Sequence, residues 1–214
     1  MIILIGGNKG GSGKSGTATN TAVALSGRGK TCLFNADKQR SSAKWHAERV
    51  AAGLNDIELV EGFGNIAEKL VELDKVFEFV VVDVAGRNSR EFITAGVVAH
   101  IIVSPLQSSQ DDLDTLDELE QQIHEMRSVN PDVKVYVLQT MATTNPVIRG
   151  AERADFLGFL EDYPSLPAAK SVICHRKVYR DCRSAGIGIL ESNNAVAKKE
   201  FNEYIKEVFG NGKA

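Results

Sequence analysis

The feature that most constrains this chain is a glycine-rich segment between an apolar run and a helical pattern, close to the N-terminus. The apolar run is Ile2–Gly6, the segment reads Asn-Lys-Gly-Gly-Ser-Gly-Lys-Ser over residues 8–15, and the helical pattern begins at Lys14. Glycines lack a Cβ, so the backbone can turn with its N–H groups pointing inward around an anion. The helix that follows adds the positive end of its dipole. This order of elements predicts a phosphate-binding loop.

Two side chains at the end of this loop have the chemistry that a bound triphosphate requires. Lys14 can reach the β- and γ-phosphates, and the Ser15 hydroxyl can ligate Mg²⁺. A glycine-rich turn with an incidental lysine is the alternative, and the strand–loop–helix context disfavours it. The residues expected to contact the nucleotide are Lys9, Gly10, Gly11, Ser12, Gly13, Lys14, Ser15 and Gly16.

Short β-branched runs alternate with helical patterns along the chain. Seven runs are predicted as strands: Ile2–Gly6, Thr31–Asn35, Ile57–Val60, Phe77–Asp83, His100–Ser104, Val133–Gln139 and Ser171–Cys174. They read as apolar runs rather than as strict alternation, which is typical of strands buried on both faces of a parallel sheet. Helices are predicted at Lys14–Ser26, Ser41–Ala51, Asn65–Leu73, Ser89–Ala99, Asp111–Val129, Val147–Glu161 and Asn194–Phe209. We therefore predict an α/β fold, a doubly wound and mostly parallel sheet flanked by helices on both faces, with ligands at the carboxyl ends of the strands.

Composition narrows the class of protein. The chain has 214 residues, so we expect one domain over residues 1–214. Its hydrophobic and charged fractions are 43% and 25%, its apolar runs are too short to span a bilayer, and no export signal is recognisable. Three cysteines without metal spacing indicate a reduced, cytoplasmic protein. A net charge of −3 disfavours a globally basic nucleic-acid binder but leaves room for a local basic patch.

Acidic residues end two of the predicted strands. Asp37 follows the second strand, and the apolar run Phe79–Val82 delivers Asp83 to the edge of the sheet where ligands bind. Gly86 could present its N–H to the γ-phosphate. Asp37 could instead cap the helix after it. We expect Ser15, Asp37 and Asp83 at a magnesium site.

Together these motifs resemble the deviant Walker A P-loop ATPases of the ParA/MinD family, and most closely the small plasmid-partition ParA proteins of the ParF type. The resemblance implies a P-loop NTPase fold and a role for Lys9, which in that family reaches across a nucleotide-sandwich dimer. It implies that Lys9 and Lys14 neutralise charge during ATP hydrolysis and that Asp37 orients the attacking water. Three positions depart from the family pattern, because Gly16, Asn35 and Lys38 stand where a hydroxyl residue, an aspartate and a proline are usual. Nucleotide affinity is therefore expected to be weaker than typical, and hydrolysis to be slow or more dependent on an activator.

The resemblance also implies partners. An ATP-bound homodimer would bind DNA non-specifically near the nucleoid, and a ParB-like centromere-binding protein would stimulate hydrolysis. The DNA-binding residues would be Arg176, Lys177, Arg180 and Arg183, whose alternative is a solvated, charge-mixed face. Adenine would lie near residues 139–145.

Two other functions are compatible with parts of the sequence, and a third is rejected. A scaffold that positions a protein cargo or a conjugation complex with little turnover is compatible with Asn35 and Gly16. A MinD-like membrane switch would use the apolar stripe of the last helix, Asn194–Phe209, although packing on the core is the expected role of that stripe. An iron–sulfur reductase-like relative needs cysteines near Asp83, and the three cysteines lie elsewhere.

Overall fold

The computed structural model describes residues 1–86, 89–109 and 115–210. Within them, seven strands form one sheet in the order β3-β2-β4-β1-β5-β6-β7, and every neighbouring pair is parallel. The strands are β1 (Ile2–Ile5), β2 (Thr31–Ala36), β3 (Ile57–Glu61), β4 (Phe79–Val84), β5 (Ile101–Leu106), β6 (Lys134–Ala142) and β7 (Ala168–Cys174). The predicted doubly wound parallel sheet is confirmed.

Eight α-helices are described in the same residues. They are α1 (Lys14–Ser26), α2 (Ser41–Ala51), α3 (Ala67–Asp74), α4 (Arg90–Gly96), α5 (Leu116–Val129), α6 (Pro146–Leu160), α7 (Lys177–Ser184) and α8 (Ala195–Phe209). The bounds of α1 and α2 match the prediction, and the others differ by a few residues at their ends. Residues 111–114 of the predicted fifth helix lie outside the described residues. Strand β7 begins three residues earlier than predicted because it pairs with β6 through an irregular register that sequence periodicity does not encode.

The central strand β1 is buried on both faces, and its alternate residues contribute to two separate cores. Ile2 and Leu4 pack in the core on one side of the sheet, whereas Ile3 and Ile5 pack in the core on the other side. Side chains of a strand alternate between faces, so a continuously apolar strand serves both layers. This burial holds the end of β1, and the loop after it, rigidly in the middle of the sheet.

Strand order brings the predicted acidic residues next to the loop. Strand β4 pairs with β1 so that Ile5 lies opposite Asp83, and it pairs with β2 so that Asn35 lies opposite Asp83. Parallel strands all end at the same edge. The residues that follow β1, β2 and β4 therefore meet at one place.

Helix α8 covers one face of the sheet with the apolar stripe noted in the sequence. Phe201 and Tyr204 are fully buried, and Ile205 and Val208 are nearly so. The expectation that this stripe packs on the core is confirmed. Across the described residues, none of the helices has the length and apolar character needed to cross a membrane.

Candidate nucleotide and metal site

The loop between β1 and α1 has the backbone conformation that its glycines predict. Gly11 and Gly13 adopt φ angles of 84° and 85°, in the left-handed region that favours glycine. A Cβ built on Gly10 or Gly11 would meet no atom within 4 Å, so the loop faces open space. The loop is anchored from below, because the Thr140 hydroxyl donates to the Ser12 carbonyl at 2.8 Å.

Lys14 lies folded over this loop. Its side chain is buried, and its ammonium donates to the carbonyl of Lys9. Lys9 itself is half-buried. Gly86, after β4, packs directly on this pair, since a Cβ built on it would lie 3.3 Å from both the Lys14 Nζ and the Lys9 carbonyl oxygen. The structure thus brings the loop, both lysines and Gly86 into contact.

Asp83 is a buried carboxylate beside the loop. It is fully buried, and neither of its oxygens has a hydrogen-bond partner among the described residues. Burial raises the pKa of Asp83 to about 6, while the nearby hydroxyls of Ser42 and Ser15 act in the opposite direction without forming well-aligned hydrogen bonds. Two unpartnered carboxylate oxygens next to a serine hydroxyl are a donor set that suits hydrated Mg²⁺. The residues present therefore fit the metal that the phosphate loop implies.

Asp37 follows β2 and lies near Asp83. It is half-buried, and its Oδ1 accepts a hydrogen bond from the Gln39 backbone N–H at 2.8 Å. Its negative charge contributes to the raised pKa of Asp83. The three residues expected at a metal site, Ser15, Asp37 and Asp83, thus lie around one point. No cluster of three or more His, Cys, Asp or Glu side chains occurs in the described part of the chain. A site with two carboxylates needs ligand phosphates and water to complete octahedral coordination.

Asn35 is fully buried between two other polar groups. Its Nδ2 donates to Glu61 Oε1 at 2.7 Å, and its Oδ1 accepts from the Ser42 hydroxyl at 3.1 Å. Glu61 also accepts two hydrogen bonds from the exposed Arg40 guanidinium, at 3.0 and 2.6 Å. Chiefly because of Arg40, the pKa of Glu61 lies below its ordinary value. Sequence reasoning singled out neither Glu61 nor Arg40.

A cavity of 280 Å³ adjoins the loop on the side away from Asp83's strand. Gly13 and Gly16 form its wall at the loop, and Thr140 and Met141 line it from the end of β6. These two residues belong to the segment expected near adenine, whereas Gln139 of the same segment is buried and bonded to Ser108. The Tyr179 hydroxyl, in the same lining, is buried without a hydrogen-bond partner among the described residues.

The predicted basic cluster lies at this cavity. Arg176, Arg180 and Arg183 line it, and the last two are exposed. Arg176 makes a two-point ion pair with Glu200, at 3.0 and 2.6 Å. Lys177 pairs with Asp181 one turn along α7 at 2.8 Å. Half of the predicted cluster therefore has its charge compensated within the chain.

The cysteines lie far from Asp83 in sequence and are all buried and unpaired. Burial raises the pKa of each thiol, and that of Cys32 reaches about 12. Cys32 lies on β2 and Cys174 on β7, which are separated by four strands of the sheet, so these thiols do not meet at one cluster within the chain.

The arrangement of loop, lysine and buried carboxylate can be compared with known proteins. The model of the CobQ/CobB/MinD/ParA nucleotide binding domain matches residues 3–155, which include the loop, Asp37 and Asp83. The chain belongs to this family. A search of curated protein sequences gave no match.

Solved structures of this family share the fold over the whole chain. A Cyanothece McdA variant in complex with ATP has a TM-score of 0.76 at 15% identity, covering 100% of this chain and 97% of that one. MinD of Aquifex aeolicus has a TM-score of 0.76 at 16% identity, with 100% and 98% covered. A putative plasmid partition protein of Borrelia burgdorferi bound to AMPPNP has a TM-score of 0.70 at 17% identity, with 97% of each chain covered. At these identities the likeness shows the fold alone.

Proposed function

We propose that this chain is an ATP-dependent dimerising switch that hydrolyses ATP to drive DNA partition. One observation carries the nucleotide-binding part of the proposal: the buried Asp83 carboxylate, whose oxygens have no partner among the described residues, lies beside the Ser15 hydroxyl at the foot of the glycine loop. An unpaired buried carboxylate is costly and is usually retained where a ligand compensates it. Magnesium with ATP would supply that compensation.

The reaction would be transfer of the γ-phosphoryl group to water. Magnesium, when bound with the nucleotide, supplies positive charge at the β- and γ-phosphate oxygens. Lys14 is placed to move from the Lys9 carbonyl to a phosphate oxygen, which is a stronger, charge-assisted acceptor. Asp37, half-buried beside Asp83, would accept a hydrogen bond from the attacking water and orient it. Lys9 of a second copy would complete the charge around the phosphates.

The nucleoside would occupy the cavity beside the loop. This cavity of 280 Å³ adjoins Gly13 and Gly16 of the loop. A nucleotide whose phosphates lie in the loop would therefore place its base in the cavity. Thr140 and Met141 would contact the base, and the Tyr179 hydroxyl offers a buried hydrogen-bonding group. Relatives solved with ATP and AMPPNP share the fold that presents this cavity.

Non-specific DNA binding by the ATP-bound dimer is the second part of the proposal. It is supported by the exposed Arg180 and Arg183 on α7 and by Lys198, Lys199 and Lys206, which line an open groove on α8. Phosphate contacts from such side chains need no sequence-specific geometry. Plasmid partition proteins of the same fold support a DNA cargo, and we expect a ParB-like activator and a nucleoid-associated, cytoplasmic protein.

A scaffold with little turnover is the alternative that one observation favours. Asn35 stands where the family resemblance implies an aspartate, and its amide is bonded to Glu61 and Ser42. A neutral amide contributes no negative charge to the metal site. Such a scaffold would bind ATP as tightly but turn it over negligibly with any partner. A MinD-like membrane role would show instead as ATP-dependent sedimentation with liposomes.

Calorimetry with ATP in the presence and absence of magnesium tests the proposal. We expect the wild-type chain to bind ATP more tightly with magnesium, and Lys14→Ala to abolish binding while leaving the unfolding midpoint nearly unchanged. Lys44→Ala, which removes an exposed lysine on α2, is the matched control and should bind as the wild type does. Tight binding by Lys14→Ala would refute the site. Turnover measured with and without DNA then separates the partition ATPase from the scaffold.

A further inference from the structure

Three polar residues stand side by side at the ligand edge of the sheet. Asn35 on β2 lies in register with Glu61 on β3 and with Asp83 on β4. Residues in register on neighbouring parallel strands point to the same face of the sheet. Glu61, Asn35 and Asp83 therefore form a row that runs from the edge strand to the buried carboxylate.

Glu61 determines the orientation of the Asn35 amide. Glu61 is paired with Arg40, and an ionised carboxylate has no proton to donate. It can therefore only accept a hydrogen bond from Asn35, and the Asn35 Nδ2 atom must face it. The Oδ1 atom then faces Ser42 and takes the single proton of its hydroxyl, at 3.1 Å. Ser42 has no second proton to donate to Asp83. This ordering of donors accounts for the lack of a hydrogen bond from Ser42 to Asp83.

The same carboxylate also holds the start of α2. Arg40 has a φ angle of 57°, in the left-handed region that disfavours residues with a Cβ, and its guanidinium contacts both oxygens of Glu61. The Arg40 N–H donates to the Asp37 carbonyl at 2.8 Å. Glu61 thus binds both ends of the turn formed by residues 35–40, and Asp37 lies inside that turn.

We infer that Glu61 is a positioning residue for the ATPase site, acting on Asp37 and on the donors around Asp83 through its bonds to Asn35 and Arg40. The inference rests on the proposed function. Glu61 lies on the edge strand and acts through its two partners. Its effect on turnover therefore depends on which partner donates and which accepts in these hydrogen bonds. A residue that only filled space would not be sensitive to that direction.

Reversal of the Asn35–Glu61 hydrogen bond tests this inference. Asn35→Asp creates the aspartate that the family resemblance implies, but it opposes two carboxylates across 2.7 Å with no proton between them. Adding Glu61→Gln restores a donor, now on the β3 side, at the position of Oε1. It gives up the bond from Arg40 Nε to that oxygen and keeps the bond from the Arg40 terminal nitrogen to Oε2. At saturating ATP and magnesium, we expect Asn35→Asp to lower kcat by about tenfold, in line with the cost of a displaced catalytic group. The double variant should recover to within about threefold of the wild type.

Two further variants separate positioning from folding. Arg40→Gly removes one partner of Glu61 and relieves the left-handed backbone, so it should lower kcat by several-fold with an unchanged KM and an equal or higher unfolding midpoint. Glu58→Gln, on the same strand but not bonded to Asn35, is the control and should leave kcat unchanged. Unfolding free energies without nucleotide are measured for the wild type, Asn35→Asp, Glu61→Gln and the double variant. We expect the double variant to be more stable than Asn35→Asp, in parallel with the recovery of kcat.

The outcomes distinguish this inference from the proposed function. If the wild type binds no ATP, the proposed function fails and the positioning role with it. If the wild type binds and hydrolyses ATP, the Glu61 inference is overturned alone when Asn35→Asp equals or exceeds the wild-type kcat. It is equally overturned when the double variant is no better than Asn35→Asp in kcat, because recovery of the unfolding free energy alone would assign Glu61 a structural role only.

Discussion

Arg49 and Glu191 form a two-point ion pair although 142 residues separate them, with each terminal guanidinium nitrogen 2.9 Å from a carboxylate oxygen. The Arg49 side chain is 1% exposed, and its Nε also donates to Asp56 at 2.9 Å. Arg49 lies in the last turn of α2, the helix that begins directly after the turn that carries Asp37. Helix α2 is therefore attached to the segment that follows α7.

Removing the guanidinium should destabilise the fold strongly. We expect Arg49→Met to lower the free energy of unfolding by about 3 kcal/mol, because two carboxylates lose their buried partner. Urea unfolding measures this, with Arg183→Met as the control, since Arg183 is exposed and should change stability by no more than about 0.5 kcal/mol. Equal effects of the two substitutions would show that the ion pair contributes nothing.

The same ion pair predicts a pH dependence. Burial by itself would raise the pKa of Glu191, but hydrogen bonding to Arg49 outweighs it and holds the pKa below its ordinary value of 4.5. The folded state therefore binds fewer protons than the unfolded state, and the stabilisation is present above about pH 4.5 and lost as the pH falls through the folded pKa. The stability difference between wild type and Arg49→Met should shrink over that range. A constant difference would contradict this assignment.

Neutralising Asp83 should separate stability from function. In the absence of nucleotide and metal, we expect Asp83→Asn to raise the free energy of unfolding by about 1–2 kcal/mol, because a buried unpaired charge is removed. The same substitution should abolish the magnesium dependence of ATP affinity. Thermal unfolding in EDTA and calorimetry with magnesium check the two halves. A variant that is less stable in EDTA would show that Asp83 is compensated within the chain.

Gly16 offers a gain-of-affinity test. A Cβ built on Gly16 would meet no atom within 4 Å, so there is room at this position for a side chain to begin. We expect Gly16→Thr to tighten ATP binding by about fivefold, the worth of one hydrogen bond to the α-phosphate. Gly16→Ala is the matched control, because it shares the Cβ and the better helix propensity but lacks the hydroxyl. Equal affinities of the two variants would exclude such a contact.

Lys9 should matter for assembly more than for binding. We expect Lys9→Ala to retain ATP binding as a monomer and to lose ATP-dependent dimers, because the side chain would act on the phosphates of a second copy. Sedimentation velocity with ATP and magnesium measures dimer formation, and Lys44→Ala again serves as the control. Normal dimers of Lys9→Ala would assign its side chain to its own subunit.

Arg180 is the sharpest test of the DNA surface. We expect Arg180→Glu to weaken DNA binding of the ATP-bound protein. The slope of the logarithm of the binding constant against the logarithm of the salt concentration should fall by about one to two, the value for one to two lost phosphate contacts. Because Arg180 also lines the cavity, ATP affinity is measured in parallel. Lys134→Glu, at the opposite end of the sheet, is the control. If Lys199→Glu weakens DNA binding and Arg180→Glu does not, the surface lies on α8 instead.

The amino-acid sequence by itself determined the elements whose causes are local. Three glycines before Lys14 require the loop that the structure contains, because φ angles of about 85° at Gly11 and Gly13 are open chiefly to glycine. Continuously apolar strands required burial on both faces, and their alternation with helices required a parallel sheet. These signals also placed Asp37 and Asp83 at the ligand edge.

Only the tertiary structure decided which distant residues meet. Asn35 contacts Glu61, Ser12 is held by Thr140, and Arg176 is paired with Glu200 rather than left free for a ligand. Each contact depends on strand order, on the register between strands and on one rotamer among several, and a residue's neighbours in sequence specify none of these. A charge or amide in a sequence therefore indicates what chemistry is possible, whereas packing selects the partner that uses it.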